Sequence, residues 1–186
     1  MPQSQAGNGL GRIVAGAAVG LVAGLAIPQA KKLAMQGPSL AAGDWMDALI
    51  AEHRLVENLF DQLLKTDDSD MARREMLLAK IAYALNKHAV EEENVIYPAL
   101  MEDSNSDQSK HLGEEHLEMK TFIYDLRRIG STDPSWLGKA RELWGVIQDH
   151  IREEEDEIFP AFRQALSPDE NAKLTAMMNW EGLKAA

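Results

Sequence analysis

Four of the five histidines in this chain belong to two matched sets of side chains that can ligate a metal ion. Each set contains one isolated histidine and, further along the chain, a histidine followed four residues later by a glutamate. The members are His53, His88 and Glu92 in the first set, and His116, His150 and Glu154 in the second. On a helix, residues four apart lie on nearly the same side, so each His–Glu pair can direct an imidazole and a carboxylate toward one point. Imidazole and carboxylate donors without thiolates suit iron, manganese or zinc, so the pattern predicts a metal site.

The two His–Glu pairs stand in sequence contexts that also repeat. His88 opens the run His-Ala-Val-Glu-Glu-Glu, and His150 opens the run His-Ile-Arg-Glu-Glu-Glu. Each run leads to an Ile-aromatic-Pro-Ala segment, which is 96–99 in the first copy and 158–161 in the second. Because the same pattern occurs twice at matching offsets, it indicates two copies of one structural unit.

Helices must position these donors, because apolar residues recur at three- and four-residue spacing through residues 44–166. Polar, turn-like segments divide this part of the chain into four long helices, and no segment alternates convincingly as a strand. The expected helices cover about 44–64, 71–97, 109–129 and 134–159. Short connections and one apolar stripe on each helix predict an all-α fold, an antiparallel four-helix bundle built from two repeated helical hairpins.

Capping signals mark the expected helix boundaries. Asp44 is the expected N-cap of the first helix, and Gly130 is the expected C-cap of the third. The Asp133-Pro134 pair is expected to start the fourth helix, and Pro98 is expected to end or kink the second. A Ser-x-x-Glu capping box opens a short C-terminal helix over residues 167–186.

Convergence of these donors would bury ionised glutamates inside an apolar bundle, which is costly unless a cation or a hydrogen-bond partner compensates. The twofold arrangement predicts two metal ions with the two carboxylates between them, and leaves coordination positions for a bridging oxygen and an external molecule. Spacing alone does not choose between Glu91 and Glu92 as the inward carboxylate. The remaining members of the acidic runs 91–93 and 153–156 are expected to be solvated. His111 lies on another helical face, so we expect a core or exposed residue there.

The composition excludes several other kinds of chemistry. The chain has no cysteine, which excludes disulfides, thiolate metal sites, thiol catalysis and iron–sulfur clusters. The formal net charge is −11, so we expect no nucleic-acid partner, because phosphate binding requires a basic surface. A chain of 186 residues that is 45% apolar suffices for one compact domain with a hydrophobic core.

Residues 1–43 differ from the rest and read as an apolar, Gly- and Ala-rich N-terminal helix with a linker. The run Ile13–Ile27 has a glycine at every fourth residue, a Gly-x-x-x-Gly spacing that permits close approach of another helix. Three interpretations stay open: a membrane-associated helix over residues 10–28, a secretory signal, or an arm that packs on itself or on a partner. If the helix spans a membrane, the pair Lys31-Lys32 favours a cytoplasmic main domain.

Over about residues 44–163, the histidine and glutamate pattern, with its Ile-Tyr-Pro and Ile-Phe-Pro segments, resembles the haemerythrin-like (HHE cation-binding) domain family. The residues that carry the resemblance are His53, His88-x-x-x-Glu92, His116 and His150-x-x-x-Glu154. The resemblance implies a non-haem di-iron centre of two iron ions inside a four-helix bundle, with Glu92 and Glu154 as bridging ligands. It also implies roles in oxygen binding, in sensing of oxygen, iron or redox state, or in handling nitric oxide or peroxide.

The chain departs from the oxygen-carrying members of that family at one position. Those members have a second histidine four residues after the third-helix histidine, where this chain has Lys120. The matching position of the first copy is Glu57, and either Glu57 or a solvent molecule is expected to complete a coordination sphere. Lys120 is expected to donate a hydrogen bond to an anion or oxygen species in the site, or to extend into solvent.

Three functions are compatible with these residues. The leading interpretation is a protein that binds metal and oxygen or a related small molecule, for sensing or storage. The second is a di-iron oxidoreductase that acts on peroxide or nitric oxide, and the third is a bundle held by a structural metal, with zinc or manganese as alternatives to iron. The sequence does not decide whether the protein is an enzyme.

Overall fold

The computed structural model describes residues 41–102 and 106–185, and it confirms the predicted all-α bundle. Within these residues the chain forms seven α-helices and two π-helical turns, and no described residue belongs to a strand. In chain order the helices are α1 (Trp45–Leu64), α2 (Met71–Glu91), α3 (Tyr97–Glu102), α4 (Ser106–Ile129), α5 (Trp136–Glu153), α6 (Phe159–Ala165) and α7 (Pro168–Ala185). The π turns, Glu92–Ile96 and Glu154–Ile158, join α2 to α3 and α5 to α6.

Helices α1, α2, α4 and α5 form the bundle. Helix α1 packs against α2 and α5, and α4 packs against the same two helices. Helix α7 lies against α2, the first π turn and α1. There the ring nitrogen of Trp45 donates a hydrogen bond to Asn171 Oδ1 at 2.6 Å, and its backbone N–H donates to Thr175 Oγ1 at 3.1 Å. The C-terminal helix therefore contributes directly to the packing of the bundle.

Buried apolar side chains form two clusters that are separated by a polar layer. The first cluster includes Val56, Phe60, Leu77, Ile81, Leu126 and Leu143. The second cluster includes Trp45, Leu49, Ile96, Leu100, Phe159 and Met178. Burial of each such side chain stabilises the fold by about 1.5–3 kcal/mol. Along each bundle helix the predicted metal donors fall between the two clusters, so the bundle places them in its middle.

Three of the predicted capping signals are confirmed. The Asp44 side chain accepts hydrogen bonds from the backbone N–H groups of Met46 and Asp47 at 3.1 and 3.2 Å. The capping box of α7 is closed in both directions, because Ser167 N–H donates to Glu170 Oε2 at 2.9 Å and Glu170 N–H donates to Ser167 Oγ at 3.3 Å. Gly130, at the end of α4, has the positive φ of 78° that favours glycine.

The predicted start of the fourth helix at Asp133-Pro134 is wrong by two residues, since α5 begins at Trp136. Asp133 Oδ1 accepts hydrogen bonds from the backbone N–H and the hydroxyl of Ser135, at 2.8 and 2.6 Å. This local turn uses the aspartate that was expected to cap the helix. The third helix also differs from its prediction, because α4 begins at Ser106, three residues early.

Pro98 and Pro160, which follow the acidic runs, do not end their helices. A π-helical turn, in which the helix is wider, comes before each of them. The N–H of Tyr97 donates to the carbonyl of Glu92, and the N–H of Phe159 donates to the carbonyl of Glu154, five residues back in each case. Proline lacks an N–H, and in an α-helix its ring collides with the carbonyl four residues earlier. A π turn before Pro98 relieves that collision, so the helical path continues to Glu102. Both π turns begin at a predicted metal-ligating glutamate.

The predicted N-terminal arm and its glycine spacing lie outside the described residues. Membrane association and self-association through this arm therefore stay predictions. Among the helices of the described part, none is long and apolar enough to cross a membrane.

Candidate metal centre

The bundle brings all six predicted donors together in its polar layer. Each bundle helix supplies one histidine, and each glutamate opens the π turn that follows α2 or α5. All six residues are buried, with exposed fractions from 0 to 3%. They are His53 on α1, His88 on α2, His116 on α4, His150 on α5, and Glu92 and Glu154 on the two π turns.

Each glutamate lies between two histidines from different helices. Glu92 Oε2 is 3.2 Å from His88 Nε2 and 3.2 Å from His116 Nε2. Glu154 Oε2 is 3.4 Å from His53 Nε2 and 3.3 Å from His150 Nε2. Donor atoms of the six residues form two groups, each within 4.8 Å, that share Glu92. This arrangement can hold two cations with carboxylates between them.

A second ring of carboxylates contacts the outer ring nitrogen, Nδ1, of each of the four histidines in the cluster. The contacts are Glu155 to His53 Nδ1 at 2.8 Å, Glu52 to His88 Nδ1 at 3.2 Å, Glu93 to His116 Nδ1 at 3.0 Å, and Glu115 to His150 Nδ1 at 2.7 Å. A carboxylate only accepts a hydrogen bond when ionised, so each Nδ1 carries a proton and each Nε2 is directed toward the interior. Such outer partners orient metal-ligating histidines and raise their basicity.

Our expectation of a solvated acidic run is wrong for several of its members. Glu91 is fully buried, and Glu155 and the partly exposed Glu93 hold histidines of the neighbouring helices. The ring also includes Glu52 and Glu115, for which the helical spacing predicted no role. One signal was available, because each directly precedes an isolated histidine, so that Glu-His is itself a repeated dipeptide.

Three buried atoms of the cluster have no hydrogen-bond partner among the described residues: Glu92 Oε1, His150 Nε2 and Glu154 Oε2. A buried polar atom without a partner costs about 1–3 kcal/mol. All three are of the types that bind a cation through a lone pair, so the donors present fit a metal site of nitrogen and oxygen ligands.

The protonation pattern of the metal-free cluster also fits a cation site. Burial and the neighbouring Glu154 raise the pKa of Glu92 well above its ordinary value. Burial alone would lower the pKa of His53, but the adjacent carboxylates of Glu154 and Glu155 outweigh it and raise this pKa to about 10. Burial lowers the pKa of His88 to about 4, against the opposing hydrogen bond to Glu52. The raised pKa values of His53 and Glu92 indicate that this layer favours added positive charge, which a metal cation can supply.

Tyr97 adds a hydroxyl that only one of the two repeats supplies. Its oxygen lies 2.9 Å from Glu154 Oε1, 3.2 Å from Glu92 Oε2 and 3.3 Å from His116 Nε2. The Ile-Tyr-Pro segment belongs to the repeated pattern, but its spacing predicted no role for the tyrosine. Because the matching residue of the second repeat is Phe159, the hydroxyl makes the two halves of the centre chemically different.

Neither residue considered for the missing fifth histidine reaches the cluster. Glu57 pairs at the surface with Arg54, at 2.6 Å. The Lys120 ammonium group donates to Glu93 Oε1 at 2.7 Å and is about half exposed. Lys120 therefore supports the outer partner of His116. His111 is exposed, as expected, with its ring nitrogen 3.6 Å from Glu115.

Fold and site together define a four-helix bundle with a buried cation site built from histidine and glutamate. A family model described as "Hemerythrin HHE cation binding domain" matches residues 46–162. This chain therefore belongs to the haemerythrin HHE cation-binding family.

Individual relatives agree with this assignment. An uncharacterised haemerythrin-like protein of Schizosaccharomyces pombe is 26% identical over 134 residues, which cover 70% of this chain and 64% of that protein. A DNA nickase of Nostoc is 28% identical over 124 residues, or 67% of this chain and 35% of the nickase. The chain thus spans less than two thirds of the length of these two curated relatives.

The crystal structure of a haemerythrin HHE cation-binding domain-containing protein from Mycobacterium kansasii has a similar fold. It superposes with a TM-score of 0.68 at 19% identity, covering 76% of this chain and 86% of that protein.

Replacement of Glu115 by alanine is expected to weaken metal binding by about 10- to 100-fold, because His150 loses the carboxylate that orients it. Competition with a coloured chelator measures the affinity. Glu114→Ala is the matched control, since this neighbour is exposed. Equal affinities of the two variants would show that the outer carboxylate does not support the site.

Proposed function

We propose that this protein is a non-haem di-iron haemerythrin-like protein that binds oxygen or a related small molecule. The observation that supports the proposal is the placement of each glutamate between two histidines in a fully buried layer. Zinc and manganese share the same ligand preferences and are the alternative metals. When bound, a pair of iron ions supplies reversible redox chemistry and open coordination positions for the small molecule.

The protein residues prepare this site in two ways. The six buried donors hold the cations, and the four outer carboxylates keep each imidazole in the correct tautomer and orientation. Six ligand residues do not fill the coordination spheres of two octahedral ions, which leaves positions for solvent and an external ligand. The apolar clusters pack on both sides of the layer.

Metal analysis combined with an ultraviolet–visible spectrum tests the proposal. Protein purified aerobically is expected to contain about two irons per chain. Its charge-transfer bands are expected to bleach on reduction and to return on exposure to oxygen. One zinc ion per chain with no visible bands would refute the oxygen-binding proposal and leave the structural metal-binding bundle as the function.

A second candidate, a di-iron oxidoreductase acting on peroxide or nitric oxide, is favoured by access to the centre. A cavity between α2 and α4 reaches all four histidines from the surface. Turnover of peroxide or nitric oxide by the iron-loaded protein separates this candidate from a binding protein. We do not extend DNA nicking to this chain, because the match covers 35% of the nickase.

Metal loading near neutral pH is expected to release at least about one proton per chain. In the metal-free protein His53 is protonated, with its pKa raised to about 10, and Glu92 has a pKa well above its ordinary value. Both groups must lose their protons to bind a cation, so metal affinity falls as the pH falls. Calorimetric titration in phosphate and in Tris buffer measures the release, because the two buffers differ in ionisation enthalpy. A binding enthalpy that is the same in both buffers would contradict it.

A further inference from the structure

A cavity of about 530 Å³ opens between α2 and α4 and extends to the histidines of the metal centre. Apolar residues from all four bundle helices line its inner part, namely Val56, Ala82, Met119, Ile123 and Ile147. This volume lies within the range of pockets that enclose small organic ligands. A diatomic ligand of the metal centre would leave most of the space empty.

The internal repeat shows why this side of the bundle is open. Between α1 and α5, on the opposite side, the rings of Phe60 and Trp144 stack with centroids 4.9 Å apart and an interplanar angle of 21°. Ile123 is the repeat counterpart of Phe60, since both lie seven residues after an isolated histidine. Ala82 is the counterpart of Trp144, since both lie six residues before a paired histidine. The side between α1 and α5 is filled by two stacked rings. On the opposite side, between α2 and α4, Ala82 and Ile123 stand at the matching positions and leave a cavity.

The mouth of the cavity is polar and cationic. It is lined by Tyr83, Asn86, Lys120, Tyr124 and Arg127. No described residue that lines the cavity is an aspartate or a glutamate, although the chain has 30 acidic residues. Lys120 is paired with Glu93, whereas Arg127 is exposed and forms no ion pair with another described residue. An arginine without a carboxylate partner is well suited to bind an anionic group.

Arg127 and the histidines of the metal centre lie at opposite ends of the cavity wall that α4 forms. Helix α4 contributes to the lining from His116 to Arg127, which is about 16 Å along the helix axis at 1.5 Å per residue. The apolar wall lies between these two ends. The chemistry that fits is an apolar body about as long as a medium acyl chain, with one anionic end.

We propose that this cavity binds a medium-chain organic anion, with its anionic group at Arg127 and its apolar body directed toward the histidines. The inference deepens the proposed function, because such a molecule lies next to the metal ions that the proposed function requires. Binding itself needs only the cavity and the arginine. Metal content and anion binding can therefore fail independently of each other.

Calorimetric titration of the full-length protein with octanoate tests the proposal. Ala82→Trp, which restores the residue of the other repeat, is expected to weaken octanoate binding by at least about tenfold, with unchanged metal content. Ala82→Leu fills less of the cavity and provides a second variant if the tryptophan disturbs folding, which circular dichroism reports. Undetectable binding of octanoate to the wild type, or equal binding to a folded cavity-filling variant, would overturn the proposal.

The position of the anionic group is tested separately. Arg127→Gln is expected to weaken octanoate binding about two- to fivefold, as for a partly exposed ion pair, and to leave the binding of 1-octanol unchanged. Arg128→Gln is the matched control, because this neighbour is exposed and pairs with Asp125 at 3.2 Å, outside the cavity lining. An Arg127→Gln variant that binds octanoate as tightly as the Arg128→Gln variant would refute the placement.

Discussion

Replacement of Glu92 by glutamine is expected to reduce the metal content from about two ions per chain to fewer than one. Glu92 Oε2 lies 3.2 Å from histidines of both repeats, so in the proposed di-iron site this carboxylate would serve both cation positions. The amide has nearly the same shape but no negative charge, and it cannot bridge two cations. Elemental analysis of gel-filtered protein measures the content.

The same substitution separates ligation from folding. Burial and the neighbouring Glu154 already raise the pKa of Glu92, so the amide replaces a carboxyl group whose ionisation is disfavoured in the metal-free protein. Metal-free Glu92→Gln protein is therefore expected to be at least as stable as metal-free wild type in urea. Glu157→Gln, an exposed position in the second π turn, is the control and should keep both ions. Retention of about two ions by Glu92→Gln would exclude Glu92 as a shared ligand.

Replacement of Lys87 by methionine is expected to lower the free energy of unfolding of the metal-free protein by about 3–5 kcal/mol. The Lys87 ammonium group is buried and donates to Glu52 Oε1 and, at 2.8 Å, to Glu91 Oε1. Removal of the cation leaves these carboxyl groups buried without it. Burial already raises the pKa of Glu91 to about 8, whereas His88 and Lys87 overcome the effect of burial at Glu52 and keep its pKa low.

Urea unfolding at neutral pH, in the presence of a chelator, measures this effect. Lys65→Met is the control, because Lys65 forms an exposed i,i+4 pair with Asp61 that contributes at most about 0.5 kcal/mol. The metal-loaded Lys87→Met protein is also expected to bind its cations more weakly, since Glu52 holds His88 in place. Equal losses of stability in the two lysine variants would show that the buried network is not what stabilises this half of the bundle.

The asymmetry of the two repeats makes the Lys87 test specific. The repeat counterpart of Lys87 is Asp149, which is exposed and pairs with Arg152. The carboxylate behind His150, Glu115, faces the exposed ring of His111 at 3.6 Å. One half of the centre is therefore supported by a buried lysine, and the other half by groups near solvent.

The sequence by itself determined the fold class and the helical faces that carry the donors. Both depend on local periodicity, because three- and four-residue spacing defines a helical face and a His-x-x-x-Glu pair shares that face. The repetition of the His-x-x-x-Glu pair made the pattern specific, and the structure places His53, His116 and the two pairs together. Spacing alone left Glu91 as an alternative to Glu92, and the family resemblance selected Glu92. Caps such as Asp44 and the Ser167–Glu170 box were also readable, since all their atoms lie within one turn.

Only the tertiary structure decided the groups that surround these donors. Glu52 reaches His88 on another helix, and Glu155 reaches His53 across 102 residues of sequence, so neither contact is encoded in a local period. The same limit applies to the cavity, which depends on Ala82 and Ile123 facing each other across neighbouring helices. Helical spacing predicts which side of a helix is buried, but the neighbour that each side chain meets is set by how the helices pack.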